Sequence, residues 1–99
     1  MTAKTPHHDD ILDEVCTAFG ISRSELRSMS KPLNHCMARS VVCVLLEEAG
    51  YSQTQIAVFI NRDRTNVWRY INVSHYKYLS KAIYAGAYKS LLNRVIRPS

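Results

Sequence analysis

The side chains best suited to chemistry lie in one run of eight positions in the second half of the chain. They are Arg62, Asp63, Arg64, Thr65, Asn66 and Arg69. Arginine can donate two hydrogen bonds to guanine O6 and N7, and asparagine can pair with adenine N6 and N7. Aspartate accepts from cytosine N4, and the threonine methyl group meets the thymine methyl group. This chemistry suits the reading of base edges in the major groove of DNA; the alternative is an exposed polar helix with a capping aspartate.

Two short helices joined by a tight turn are predicted to position this run. Residues 52–55, Ser-Gln-Thr-Gln, form a capping box and predict a helix through Ile60. Residues 61–63 predict a turn, and Asp63 can cap a second helix that runs to about residue 72. Such a pair is typical of a helix-turn-helix, in which the first residues of the second helix reach the bases.

Apolar residues of the second short helix are expected to hold it against the core. Val67 and Ile71 lie four positions apart and should face inwards. Trp68 and Tyr70 are ambiguous, and packing is the favoured role for Trp68.

The remaining elements predict an all-α fold of about six helices, with a helix-turn-helix and a long C-terminal helix. Apolar residues at spacings of three and four predict helices over residues 9–19 and 74–96. A capping box at residues 22–25 predicts a short helix to about residue 29. Residues 33–49 are apolar almost all round, which is typical of a buried central helix.

Domain organisation follows from these elements. Residues 1–8 are predicted to form a flexible arm, and residues 9–96 a single domain, because 99 residues supply one core and no more. The last predicted helix is expected to pack across the others through a strict row at i+4 spacing: Leu79, Ile83, Ala87, Leu91 and Val95.

Charge is divided unevenly along the chain. Residues 1–49 carry five basic and seven acidic side chains, whereas residues 50–99 carry eight basic ones and a single acid, Asp63. The resulting net charges, −2 and +7, favour a polyanionic partner such as nucleic acid for the second half. A solvated surface on a basic protein is the alternative.

Other function classes have little support in the sequence. There are only three glycines and three prolines, no apolar stretch of about 20 residues and no phosphate-binding loop. The acidic pairs are adjacent in sequence, so helical neighbours would point about 100° apart and would not converge on a substrate. We therefore expect no catalytic residue, no cofactor and no membrane span. The polar N-terminus favours a cytoplasmic location.

Cysteines and histidines predict no metal site. Cys16, Cys36 and Cys43 form no CxxC pair, so reduced core thiols are expected. His7 and His8 fall in the predicted arm, and no ligand spacing supports a metal centre there.

Several motifs in order resemble one known family. Residues 11–28 resemble its two opening helices, and residues 38–46 its Ala-Arg-Gln helix. Residues 52–59 resemble the first helix of its helix-turn-helix, and residues 62–67 stand where it carries Arg-Asp-His-Thr-Thr-Val. The family is the C-terminal DNA-binding domain of the bacterial replication initiator DnaA, and the resemblance covers residues 9–95.

The resemblance implies roles for individual positions. Asp63, Arg64, Thr65 and Asn66 match positions that meet bases in the major groove, and Arg62 lies with them. Lys31 matches a basic residue that enters the minor groove, and Arg39 a backbone-contacting arginine. Gln53 and Thr54 match positions whose backbone meets phosphate at a helix N-terminus. Phosphate contacts are expected mainly from Lys31, Arg39, Arg62 and Arg69.

The chain also departs from the family pattern. Arg64 replaces histidine, Asn66 replaces threonine or serine, and the turn before them is one residue shorter. Ser40 replaces glutamine, and the acidic residues 47–48 lead into a loop without lysine or arginine. These departures predict that the domain recognises a different base sequence and makes weaker phosphate contacts beside that loop.

The predicted function is sequence-preferring binding of double-stranded DNA. The family's ATPase and oligomerisation regions are missing from this sequence, which predicts either an excised domain or a stand-alone protein of a phage or mobile element. Replication, origin binding and transcription regulation are the expected settings, in a nucleoid-associated protein. The alternatives are a dimeric transcriptional repressor and an interaction module for replication or transcription proteins that has lost DNA binding.

Overall fold

Every regular element of the chain is helical within residues 6–96, the part that the computed structural model describes. The predicted all-α class is therefore confirmed for these residues. The α-helices are α1 (His8–Phe19), α2 (Arg23–Arg27), α3 (Leu33–Glu48), α4 (Gln53–Ile60), α5 (Arg64–Arg69), α6 (His75–Tyr78) and α7 (Ala82–Leu91). Two π-helical segments, Tyr70–Ser74 and Leu92–Ile96, follow α5 and α7. Among the described residues, no helix is both long and apolar enough to cross a membrane.

Local sequence accounts for most helix ends. Both predicted capping boxes are present: Ser22 pairs with Glu25, and Ser52 pairs with Gln55. Each serine hydroxyl accepts from the backbone N–H three residues on, and the side chain there accepts from the serine N–H. Gly20 ends α1 in the left-handed region, with φ of 67°, as expected.

The first helix begins earlier than predicted. His8 is its first residue, and the His7 imidazole caps it by accepting from the Asp9 N–H. The Tyr51 hydroxyl accepts from the His8 N–H at 3.0 Å and donates to the Pro6 carbonyl at 2.9 Å. These bonds join residues 6–8 to the domain. The rest of the predicted arm, residues 1–5, lies outside the described residues.

Helix α3 is the buried centre of the domain, as its apolar pattern predicts. Every residue from Met37 to Leu46 is buried. Helices α1, α2, α4 and α6 all pack against α3. Their shared core includes Ile11, Leu12, Val15, Leu26, Ile56, Ile60, Val67 and Leu91.

The long C-terminal helix starts later than the predicted residue 74: it begins at Ala82 and continues through the second π segment to Ile96. The helix that starts with α5 continues through the π segment to Tyr78, and a new helix begins at Ala82. The Ser80 hydroxyl donates to the Lys77 carbonyl and so competes with backbone pairing at the break. The register also differs from the predicted apolar row, because Ile83 is 76% exposed while Tyr84 is buried.

Candidate nucleic-acid interface

The turn between α4 and α5 is built by two residues. Asn61 adopts the left-handed conformation, with φ of 57°, and its N–H bonds back to the carbonyl groups of Ala57 and Val58. Asp63 Oδ1 accepts from the Asn66 N–H at 2.9 Å, which confirms the predicted cap of α5. Val67 is fully buried and holds α5 against the core. The first turn of α5 is therefore held by the Asp63 cap at its start and by the buried Val67 side chain that follows.

Five polar side chains of this unit are exposed, and we call them the recognition face: Asp63, Arg64, Thr65, Asn66 and Arg69. The side chains of Arg64, Thr65 and Arg69 have no hydrogen-bond or ion-pair partner among residues 6–96. The two arginines supply hydrogen-bond donors for base edges and phosphates, and the threonine supplies a methyl group that can meet the methyl group of thymine. The structure thus brings five of the predicted site residues together on one surface.

Arg62 has a different position from the one the sequence suggests. It is half-buried, and its guanidinium donates to the carbonyl oxygens of Arg27 at 3.4 Å and Asn61 at 3.1 Å, and also to that of Ser28. Arginine commonly satisfies the last carbonyl groups of a helix in this way. Arg62 therefore braces the end of α2 against the α4–α5 turn.

Arg39 is buried inside the fold, with only 1% of its surface exposed. Its guanidinium donates to four backbone carbonyl oxygens, at 2.7 to 3.0 Å: those of Glu25, Leu26, Ser28 and Ser30. This burial contradicts the expected phosphate contact. Arg39 instead joins α3 to the end of α2 and to the loop that follows it, because it donates to carbonyl groups of both.

Lys31 is exposed on that loop and lies beside the recognition face. It lines a cleft of about 280 Å³ together with Arg62, Asn66 and Tyr70. The Ser30 hydroxyl in the same loop lies 2.6 Å from His35 Nδ1. The loop is thus held by buried polar groups, while its lysine extends towards solvent next to α5.

The N-terminus of α4 forms a second wall of the interface. Gln53 and Thr54 line a cleft of about 550 Å³ with Arg64, Thr65 and Trp68. Backbone N–H groups at a helix start have no helical acceptor and attract phosphate. The Gln53 amide also donates to a Glu47 carboxylate oxygen at 3.3 Å, which brings negative charge to this end of the helix.

Comparison with known families agrees with this geometry. A family model described as the bacterial dnaA protein helix-turn-helix matches residues 8–73. The chain belongs to the DnaA helix-turn-helix family. DNA binding is accordingly its function class, and the predicted family is confirmed. Neither a curated protein nor a solved structure matches the chain with significance.

Trp68 is a residue of this DnaA-type domain whose role sequence reasoning missed. The favoured packing role is wrong, because the side chain is 51% exposed and lines the cleft beside Arg64. Its spacing of four from Arg64 places both on one helical face, which was a usable signal. Trp68 is the only tryptophan in the sequence, so its fluorescence reports on this surface alone.

Arg27 is a second residue that sequence reasoning missed. It is exposed at the end of α2, and its side chain has no hydrogen-bond or ion-pair partner within residues 6–96. It lines a concave surface with Thr54, Asp63 and Arg64. No local signal could place it there, since the carbonyl bonds made by the α4–α5 turn bring α2 to this position.

Two other arginines of the DnaA-type domain are paired with acidic side chains. Arg23 donates to Asp9 at 2.9 Å and to Asp13 at 2.8 Å, and Arg94 bonds to Glu14. The hydrogen bond from Arg23 lowers the pKa of the Asp9 carboxyl below its usual value. Arg23 and Arg94 are therefore less available to DNA than Arg27, Arg64 and Arg69, which have no side-chain partner among residues 6–96.

One thiol, that of Cys36, lines the cleft beside the recognition face with Lys31 and Asn66. Cys16, Cys36 and Cys43 are free thiols; Cys16 and Cys43 are buried and Cys36 is partly exposed, and burial raises the pKa of Cys16 and of Cys43. Within the described residues, one cluster offers metal-ligand atoms within 4.8 Å of one another: His7, His8 and Asp9. Its carboxylate already bonds Arg23, and its first imidazole caps α1.

Proposed function

We propose that this DnaA-type domain binds double-stranded DNA with sequence preference, with α5 in the major groove. The observation that carries the proposal is the recognition face itself. Its base-reading side chains are exposed, whereas the cap and Val67 fix the helix that bears them. A major groove about 12 Å wide admits one such helix.

The base contacts follow from side-chain chemistry. Arg64 suits guanine, because its planar guanidinium can donate twice to O6 and N7. Asn66 suits adenine, and its backbone N–H is already used by the Asp63 cap, which fixes the start of its side chain. Thr65 offers a methyl group for thymine, and Asp63 has a second carboxylate oxygen for cytosine N4.

Phosphate contacts come from cations without an internal partner. Arg69 lies on α5, Arg27 at the end of α2, and Lys31 on the following loop, from which it reaches the adjacent minor groove. The backbone N–H groups of Gln53 and Thr54 add an anchor at the start of α4. Arg39 and Arg62 support this surface from inside, through the carbonyl bonds that hold α2.

A second candidate function is a dimeric transcriptional repressor. Three large side chains of the C-terminal region are exposed and favour it: Val73, Tyr76 and Ile83. Light scattering distinguishes the two, since a dimer has twice the mass of the chain. For either function we propose a cytoplasmic, nucleoid-associated protein that acts in replication, at an origin, or in regulation.

Selection of binding sites from random duplex DNA tests the proposal. We expect one enriched motif that contains a guanine at the base pair opposite Arg64. Quenching of Trp68 fluorescence then gives the affinity for that motif and for scrambled DNA. Lys89→Ala is the matched control for substitutions of basic residues at the interface, because this exposed lysine lies on α7, away from the recognition face. Selection without enrichment would favour the interaction module instead.

A further inference from the structure

Three buried polar side chains form one hydrogen-bond chain behind the recognition helix. Ser40 on α3 and Tyr84 on α7 have no exposed area, and His75 on α6 is 6% exposed. The Tyr84 hydroxyl lies 3.0 Å from Ser40 Oγ and 2.7 Å from His75 Nδ1. Ser40 Oγ lies 2.9 Å from the Tyr70 carbonyl oxygen. The chain therefore joins three helices to the backbone directly after α5.

The protons of this chain are ordered in one direction. A carbonyl oxygen only accepts, so Ser40 donates to Tyr70 and accepts from Tyr84. The Tyr84 oxygen must then accept from His75, which places the imidazole proton on Nδ1. Burial lowers the pKa of His75 and raises the pKa of Tyr84, so both groups are uncharged near neutral pH.

The Tyr70 carbonyl is also the point where the helix changes from α to π geometry. Its oxygen accepts from the His75 N–H, five residues further along, whereas an α-helix uses the N–H four residues along. The Ser40 hydroxyl bonds to the same oxygen. Because side chains inserted into a helical bond ladder change its local geometry, the Ser40 bond accounts for the π turn here.

We propose that Ser40, Tyr84 and His75 are positioning residues that hold this π turn and thereby set the angle at which α5 presents the recognition face. The proposal rests on the proposed DNA-binding function. Helix α5 has six residues and continues into the π turn, so a shift at its end moves the whole helix. His75 and Tyr84 lie beyond residue 73, where the family match ends.

Tyr70 connects the buried chain to the DNA-facing surface. Its carbonyl is bonded by Ser40, and its side chain lines the cleft with Lys31 and Asn66. A displacement at this residue therefore alters the surface that reads bases. Phosphate contacts at Arg27, which sits on α2, do not depend on it.

Tyr84→Phe is the central variant, because it removes one hydroxyl and keeps the ring. Tyr78→Phe is the matched control: its ring lies 5.4 Å from that of Tyr84, and its hydroxyl has no bond partner within residues 6–96. We expect Tyr84→Phe to weaken binding to the selected site about three- to tenfold. Affinity for scrambled DNA should fall less, since the phosphate contacts that lie outside α5, such as that of Arg27, remain. Ser40→Ala should behave like Tyr84→Phe.

Nitrogen NMR of His75 and amide hydrogen exchange supply readouts that need no DNA. We expect a neutral imidazole protonated on Nδ1 in the wild type, and faster exchange over residues 64–74 in Tyr84→Phe. The proposal is overturned by an unchanged ratio of specific to scrambled affinity in Tyr84→Phe, or by an equal loss in Tyr78→Phe. A wild type without sequence preference overturns the proposed function. The comparison of amide hydrogen exchange between wild type and Tyr84→Phe then decides whether the buried hydrogen-bond chain holds the π turn.

Discussion

The loop between α2 and α3 and the recognition face both depend on arginine, but they use it in opposite ways. Beside the loop, Arg39 of α3 donates to four carbonyl oxygens of α2 and the loop and has almost no exposed surface. On the recognition face, Arg64 and Arg69 have no partner among the described residues. The net charge of a sequence therefore does not measure the charge available to DNA, because some arginines are buried and bonded to the backbone.

Arg39→Ala should have the largest effect. It removes a buried guanidinium that donates to four backbone carbonyl groups, so we expect a loss of about 2–4 kcal/mol in the free energy of unfolding. Denaturant titration measures this loss, with Arg69→Ala as the control of unchanged stability. If the two variants were equally stable, the two arginine environments would not differ as described.

Arg64→Ala should cost about 1–3 kcal/mol in binding to the selected site and should relax the preference at one base pair. The reason is the loss of two donors to guanine. Affinities for the selected site and a single-base variant of it, for both proteins, give the answer. Equal losses on both sequences would identify Arg64 as a phosphate contact and remove the base-reading role.

Arg27→Ala should weaken binding to all sequences and lower the salt dependence. With four free cations near the DNA, log K should fall against log salt with a slope of about −3 to −4, and each lost phosphate contact changes it by about one. Fluorescence titrations from dilute to physiological salt measure the slope. Lys89→Ala serves as control, and a slope that is the same in Arg27→Ala and wild type would place Arg27 outside the interface.

Arg23→Ala should have the smallest effect and none on DNA binding. Its hydrogen bond lowers the pKa of Asp9 below the usual 3.8, so the pair stabilises the fold above that pH and loses its effect as pH falls through the folded-state pKa. Acid denaturation should therefore begin at slightly higher pH in the variant. An altered affinity for DNA would show that the paired arginine belongs to the interface after all.

Helix starts could be predicted because their signals are local. Ser22, Ser52 and Asp63 each cap a helix through bonds to residues three positions away, and all three predictions are confirmed. The recognition face could be predicted from the Asp63 cap, since this residue fixes where α5 begins and therefore which side chains lie in its first turn.

Features that depend on distant parts of the chain could not be predicted. The acceptors of Arg39 lie 9 to 14 residues before it, so nothing in the apolar run around it indicated burial of the guanidinium. Arg27 is held at the interface by bonds to its carbonyl group from Asn61 and Arg62, which lie 34 and 35 residues away. In the C-terminal region, the helix break between Tyr78 and Ala82 changes the register on which the apolar row relied.

The π turn also has a consequence for insertions and deletions. It accommodates one residue more than an α-helical turn, which makes residues 70–74 the place where the helix can lose a residue and remain a helix. A deletion within a regular α-helix rotates everything after it by about 100° about the helix axis, since each α-helical residue turns by that angle. A deletion inside the π turn instead returns it to α geometry, so His75 would stay close to its present orientation towards Tyr84, and the cap of α5 would remain. This segment is therefore where the chain can change in length without separating the C-terminal helices from the recognition helix.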